Sequence, residues 1–342
     1  LDPFTHALSG AVTARALPRT GDPDKRFGPR ECLLLGAAAA LWPDIDWVIQ
    51  LFADELVYLN LHRGVTHSLV MLPIWALILG PIVARLWPAD RDWRQASLII
   101  GAGIGIHILG DFITSYGTQL FAPLSSQKLA FPSTFIIDPW ITLILFSGLI
   151  VLWRGGGRRA ACLTLVAVIA LVLFQGAMKL RALDHGQSQA EALGLSVNRV
   201  HALPQPFSPL HWRLILEGRE GHWEAHLGFL RQTGSREPGG WPLSRHWRSF
   251  YPPHALEWAY YPRLGPEEGQ AFARTAWWRP EFAEFRRFAG LPYLWAIEEQ
   301  AGRRCAIFTD LRFRTEGMPP PFRFAMCRDD AGQWTRERWG RW

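Results

Sequence analysis

Residues 96–116, ASLIIGAGIGIHILGDFITSY, carry the reading that decides the fold. The run is close to the roughly 20 apolar residues that a bilayer-crossing helix needs. It nevertheless holds His107 and Asp111 four residues apart, on one helical face near one end. Ionisable groups at membrane depth are costly unless they are partnered or line a wet cavity. The pair therefore reads as part of a functional site, with a His–Asp hydrogen bond that packs helices as the alternative. The same reading extends in both directions along the chain, because His6, Asp44, Asp46, His62, His67 and Asp138 all fall inside its most apolar half. A metal ion is the partner that would satisfy all of them.

Four runs near membrane length, at 68–87, 96–116, 139–153 and 160–178, predict an α-helical polytopic membrane domain over residues 1–179. Two earlier segments, 4–17 and 32–52, are shorter or interrupted by Pro43, Asp44 and Asp46, and are expected as half-inserted or packed helices. Lys and Arg concentrate in cytoplasmic loops. Here Arg15, Arg19, Lys25, Arg26 and Arg30, then Arg85, Arg91 and Arg94, then Arg154, Arg158 and Arg159 fill every second connection. The alternate connections carry only Arg63 and Lys128, so they should face outward together with the candidate site. One more crossing after Arg159 delivers the C-terminal region to that same side, the periplasm of a bacterial inner membrane. The segment before the first apolar run lacks the basic start of a cleavable signal peptide. The net charge of +6 is accounted for by loop arginines and a basic outer domain, with no nucleic-acid motif behind it.

From residue 180 to 342 the chain is polar, basic and rich in Trp and Pro. Short alternating runs at 211–216, 223–230, 306–314 and 322–327, broken by Gly and Pro, predict a soluble β-rich or α+β domain, with a short helix at 281–288. Its Trp and Arg residues suit either a membrane- or ligand-facing surface, open to a protein partner, or an ordinary core with solvated charges. Cys32 and Cys162 lie in apolar segments as small core residues. Cys305 and Cys327 fall where a disulfide is permitted, although a simple hairpin between their strands would not set them opposite each other.

Several groups around His107 and Asp111 could carry chemistry. Pro43 to Asp46 puts two carboxylates where Pro ends or bends a helix. Such a pair can share a cation, or divide between binding metal and taking a proton from water. Thr66 or Ser68 can cap the following helix, Arg63 suits phosphate or carboxylate, and neutral imidazole is a good zinc ligand. His62 and His67 are five apart, so a regular helix would not aim both at one point; the expected arrangement has His62 in the loop and His67 in the first turn. His6 is open between a ligand and a buried hydrogen-bonded histidine. Asp138, just before Pro139, is open between a site residue and a helix N-cap.

DPFTHALSG at 2–10, PDID at 43–46, HRGVTHS at 62–68, HILGDFITSYG at 107–117 and the later Asp138 resemble the YdjM-like family of membrane-bound metal-dependent hydrolases over roughly the first 180 residues. The DLRF at 310–313 and PFRF at 321–324 are also similar to the tail of longer members. More distantly, the order of His and Asp residues is similar to zinc-dependent phospholipase C and related nucleases. That resemblance implies His62 or His67, His107, Asp111 and an Asp of the PDID as ligands of one or two zinc ions, with His6 helping the second. The further His/His/Glu set that those enzymes use for a third metal is missing from this sequence, which argues against a trinuclear site and against phospholipase C activity itself.

The function expected is hydrolysis of a membrane lipid or lipid-linked ester, most simply a phosphoester, at the periplasmic face. Zinc, or alternatively manganese, would activate water; Asp44 or Asp46 would act as base, Arg63 would hold the anionic group, and Asp138 would complete the metal shell or protonate the leaving group. Two rivals follow from the same residues. One is a metal or proton carrier or a membrane sensor. The other is a metal-free lipid phosphatase, which lacks its basic stretch and Ser-Gly-His here.

Overall fold

The structure is a computed structural model that describes residues 1–18, 21–230, 250–300, 302–315 and 318–340. Arg19 of the first basic connection lies outside the described residues. The chain divides into two compact units. The first comprises Leu1–Ala53, Leu61–Met178 and Pro204–Pro209; the second comprises Asp54–Asn60, Lys179–Leu203 and Leu210–Trp342.

The first part of the chain is helical: α1 (Pro3–Ala16), α2 (Pro29–Leu41), α3 (Glu55–Leu61), α4 (Leu72–Leu86), α5 (Trp93–Phe112), α6 (Pro139–Trp153) and α7 (Arg158–Ala192). Asp2, Asp92 and Asp138 cap α1, α5 and α6, each side chain accepting from first-turn N–H groups that have no intrahelical partner. Among the described residues three stretches are long and apolar enough to cross a membrane: Pro29–Leu51, Trp93–Phe112 and Arg158–Ala192. A fourth is possible only if Glu55–His67 and Leu72–Leu86, bent by 71° from each other, count as one span, and Pro139–Trp153 is a shorter apolar helix.

Two expectations need correction. The interruption read at Pro43 is a change of helix type and not a break: the α-helix ends at Leu41 and continues as a 3-10 helix over Trp42–Leu51, in one run of 23 residues. The run at 68–87 is helical only over Leu72–Leu86, because the Ser68 hydroxyl accepts from the N–H groups of Val70 and Met71 in a turn that precedes α4.

Small residues let these helices approach closely. A Cβ at Gly10 would lie 2.2 Å from Gly36 O, and one at Gly36 would lie 2.4 Å from Gly10 O, so the backbones of α1 and α2 touch. Ile99, Ile100, Ile104 and Ile108 of α5 are buried in a cluster with Leu35 and Ala39 of α2. This packing gathers the ends of α1, α2 and α5 that carry the candidate residues.

Among the described residues the C-terminal half, mostly the second unit, holds two four-stranded antiparallel sheets. One runs β1 (Arg199–Gln205), β2 (Ser208–Glu217), β3 (Gly221–Gly228), β4 (Ala259–Pro262); the other runs β5 (Pro292–Gln300), β6 (Arg303–Asp310), β7 (Phe324–Asp329), β8 (Trp334–Arg338). Between them in sequence lie α8 (Glu267–Trp277) and α9 (Ala283–Phe288). Phe282, Phe285, Trp277 and Phe308 pack as an aromatic core with centroids 4.7–6.1 Å apart. Trp212 is fully buried, as the core reading expects, while Trp278 is exposed.

Cys305 and Cys327 correct the hairpin expectation. They stand directly opposite in the β6–β7 ladder and form a disulfide. The strand expected to run to Arg314 ends at Asp310, whose side chain accepts from Arg312 N–H and starts a 3-10 turn over Leu311–Phe313. That early stop shifts the centre of the hairpin toward the N-terminus and brings the two cysteines into register.

Candidate metal centre

Asp44, His67, His107 and Asp111 converge so that one ligand atom from each lies within 4.8 Å of all the others. The contributing elements differ in kind. Asp44 projects from the 3-10 helix after α2, His67 closes the 3-10 turn Val65–His67, and His107 and Asp111 come from one face of α5. Between α3 and that turn, Arg63 adopts a left-handed φ of 62°, which reverses the chain after His62.

The histidine tautomers follow from their neighbours. His107 Nδ1 lies 2.6 Å from Ala40 O. A carbonyl only accepts, so Nδ1 carries the proton and Nε2 presents a lone pair to the centre. His67 Nδ1 lies 3.0 Å from Thr66 Oγ1 and 3.6 Å from Asp46 Oδ2, a carboxylate that favours the proton there and again leaves Nε2 facing inward. The two Nε2 atoms are 3.0 Å apart. Lone pairs directed at each other repel unless a proton or a metal ion lies between them.

The remaining separations fit such a cation. His67 Nε2 lies 3.5 Å from Asp44 Oδ1 and 3.4 Å from Asp111 Oδ2; His107 Nε2 lies 3.6 Å and 3.3 Å from the same two atoms. Ligand atoms at about 2.0–2.1 Å from a tetrahedral zinc are themselves roughly 3.3–3.4 Å apart. His67, His107 and Asp111 are buried, whereas the Asp44 side chain is 33% exposed and marks the open side.

Charge points the same way. Arg63 Nε lies 2.9 Å from Asp111 Oδ2, and its Nη1 donates to Thr114 Oγ1. Counting side chains alone, Asp44, Asp46 and Asp111 carry three negative charges against the one positive charge of Arg63, an excess that a divalent cation balances. The amino group of Leu1 also lies 2.6 Å from Asp111 Oδ1.

The other sequence candidates surround the four. Asp46 accepts from His62 Nδ1 at 3.0 Å and from Arg63 N–H at 3.0 Å, so it braces the loop and His67 from behind. His6 stacks on His107 with centroids 3.7 Å apart and places Nε2 3.1 Å from Asp111 Oδ1. Asp138 is not brought into the group: it caps α6 and accepts from Gln175 Nε2 at 2.6 Å. Residue-type reasoning missed Thr114, the carbonyl of Ala40 and Gln175. Thr114 sits three residues after Asp111, one turn further on, and was the most findable of them.

Comparison with known proteins bears on this half of the chain. The model of a family described as YdjM inner membrane protein matches residues 1–182. The chain belongs to that family. All four converging residues lie inside the part that the YdjM model matches. A relative described as the uncharacterized protein YfhP of Bacillus subtilis (strain 168) is 28% identical over 186 residues. That similarity covers 53% of this chain and 55% of the relative, so the chain spans about half the length of the curated protein it matches. No solved structure matches.

Proposed function

We propose that this YdjM-family protein is a membrane-bound metal-dependent hydrolase acting on a lipid-linked or membrane-presented ester, with a phosphoester as the substrate class. The observation that carries the reading is the pair of Nε2 atoms 3.0 Å apart, each on a ring whose Nδ1 is engaged elsewhere, closed by two carboxylates. His67, His107 and Asp111 would hold a zinc or manganese ion, with Asp44 on the open side. Such an ion supplies Lewis acidity and makes water a nucleophile near neutral pH.

The side chains around it have distinct tasks in this reading. Asp44, the one ligand candidate that solvent reaches, accepts the proton of the attacking water. Arg63 is engaged with Asp111 and Thr114, so it orients the ligand carboxylate more than it grips a substrate anion. Asp46 fixes His67 in the tautomer that metal binding requires. Asp138, capped onto α6, steadies the helix and takes no part in chemistry. The periplasmic side for the centre and for the C-terminal domain, the count of crossings and a second ion near His6 belong to the same proposal.

A carrier reading is less well supported. A path through the membrane needs polar groups staggered along it, and between Ser97 and His107 α5 offers only Leu, Ile, Ala and Gly. Metal analysis of the purified full chain is the test. Near-stoichiometric zinc or manganese is expected in the wild type and is lost in His107→Ala and Asp111→Ala. Wild-type protein that never holds metal, even when dialysed against both ions, overturns the proposal. Metal uptake into proteoliposomes without ester hydrolysis would move it to the carrier.

A further inference from the structure

A cavity of about 360 Å³ opens at the other end of the same helices, where α1 ends and α2, α5 and α7 begin. Phe27, Leu98 and Ile99 line it together with the side chains of Arg15 and Arg158. Along α5, Ile99 and His107 are eight residues apart, so about 12 Å of helix separates this cavity from the metal centre. Its size is in the range of small-ligand sites.

Two arginines meet at its rim. Some surface charges nearby are paired with each other: Lys25 lies 2.6 Å from Asp90, and Arg91 lies 2.7 Å from Glu31. Arg15 and Arg158 have no carboxylate among the described residues. Arg15 donates Nη2 to Gly156 O, and Arg158 donates Nε to Ala16 O. These two bonds tie each guanidinium to the helix end opposite its own and hold both at the cavity rim. The buried Nε of Arg15 has no hydrogen-bond partner among the described residues. A guanidinium has five N–H donors, and its fork matches the oxygens of a phosphate.

The geometry points to a binding site for an anionic phospholipid, its phosphate between Arg15 and Arg158 and the start of an acyl chain against Phe27, Leu98 and Ile99. Apolar walls favour a lipid over free phosphate, because inorganic phosphate would leave them bare. The site is separate from the proposed hydrolytic centre and does not depend on it. A bound lipid would clamp together the ends of α1 and α7, which the two arginine–carbonyl bonds named above already hold beside each other.

Native mass spectrometry of the detergent-solubilised full chain tests this, with phosphatidylglycerol, phosphatidylcholine and inorganic phosphate as probes. Wild-type protein is expected to retain phosphatidylglycerol at least tenfold more than phosphatidylcholine. Arg158→Gln, at an exposed position, should weaken that preference several-fold, and Arg15→Gln with Arg158→Gln should abolish it. Leu98→Trp fills the cavity, keeps both arginines and should also abolish it. Arg85→Gln, an exposed arginine outside the cavity, should leave it intact. Equal retention of the two lipids, unchanged preference in the double variant and in Leu98→Trp, or displacement of phosphatidylglycerol by equimolar inorganic phosphate would each overturn the assignment.

Discussion

In the second unit the fully buried carboxylate of Asp310 receives Arg312 at 2.7 Å and the N–H groups of Gly290 and Arg312, and Glu224 receives Arg314 at 2.8 Å. In the first unit the Arg63 guanidinium and the Leu1 amino group both meet Asp111 while Asp44 and Asp46, among the described residues, meet only histidines and a backbone N–H, and two imidazole nitrogens face each other. Both regions bury charge. Of the two, the network of the second unit gives each of its carboxylates a cation from the protein, so burial of ionisable groups does not by itself mark function. The informative signal is an imbalance of charge and of donors that the protein leaves for something else to correct.

The largest expected effect lies in the balanced network. Asp310→Ala leaves Arg312 without its partner and should cost about 3–5 kcal/mol, read by denaturant unfolding of the full chain. The loss should be the same with and without chelator. A loss that depends on metal would erase the distinction between the two regions. The pH dependence has a definite sign. Burial works against the charged form of Asp310, but the Arg312 guanidinium and the two backbone N–H groups outweigh it and hold the carboxyl below its usual range. Its stabilising contribution is therefore complete above the unfolded value of about 3.9 and is lost as pH falls through the lower folded value. Arg312→Gln should move the onset of acid unfolding to higher pH.

The unbalanced region should respond to metal instead. A ligand that binds only the folded state stabilises by about 2.7 kcal/mol at a hundred times its dissociation constant. Added zinc or manganese should raise the melting temperature of the wild type, and the rise should vanish in His107→Ala. An equal rise in both proteins would mean that metal acts elsewhere.

The residues of the centre were legible in the sequence because His107, Asp111 and Asp44 stand out against apolar runs, and hydropathy is read without knowing the fold. The assignment of roles within them was not legible. His67 faces the centre and His62 does not because Arg63 turns the chain through a left-handed conformation, which no residue type announces. Asp44 and Asp46 separate because positions two apart lie on different sides of any helix, and which of them faces the histidines is set by how the segment packs. The disulfide was missed for a related reason, since a turn at Leu311 ends β6 early. Element existence followed from pattern, whereas register and direction depended on single backbone torsions and caps.

Two substitutions with smaller effects test the division of labour inside the centre. Asp46→Asn removes a carboxylate that touches the His67 ring from behind while leaving the four converging atoms in place. A loss of roughly ten- to a hundredfold in metal affinity is expected, as for other residues that orient a ligand. An unchanged affinity would return Asp46 to a purely structural role.

Asp44→Asn is the most discriminating, because its expected effect on the metal-free protein is the smallest. Asp44 is partly exposed and adds negative charge to a site already in excess, so its neutralisation should change metal-free stability by no more than about 0.5 kcal/mol, or raise it. With metal present the same substitution should lower the gain in melting temperature, because one ligand candidate has weakened. Functional sites retain groups that work against stability, and this contrast is the expected sign of one. If Asp44→Asn instead destabilised the metal-free protein by several kcal/mol, as Asp310→Ala is expected to do, the two buried clusters would be alike and the case for a ligand in the first unit would lose its main support.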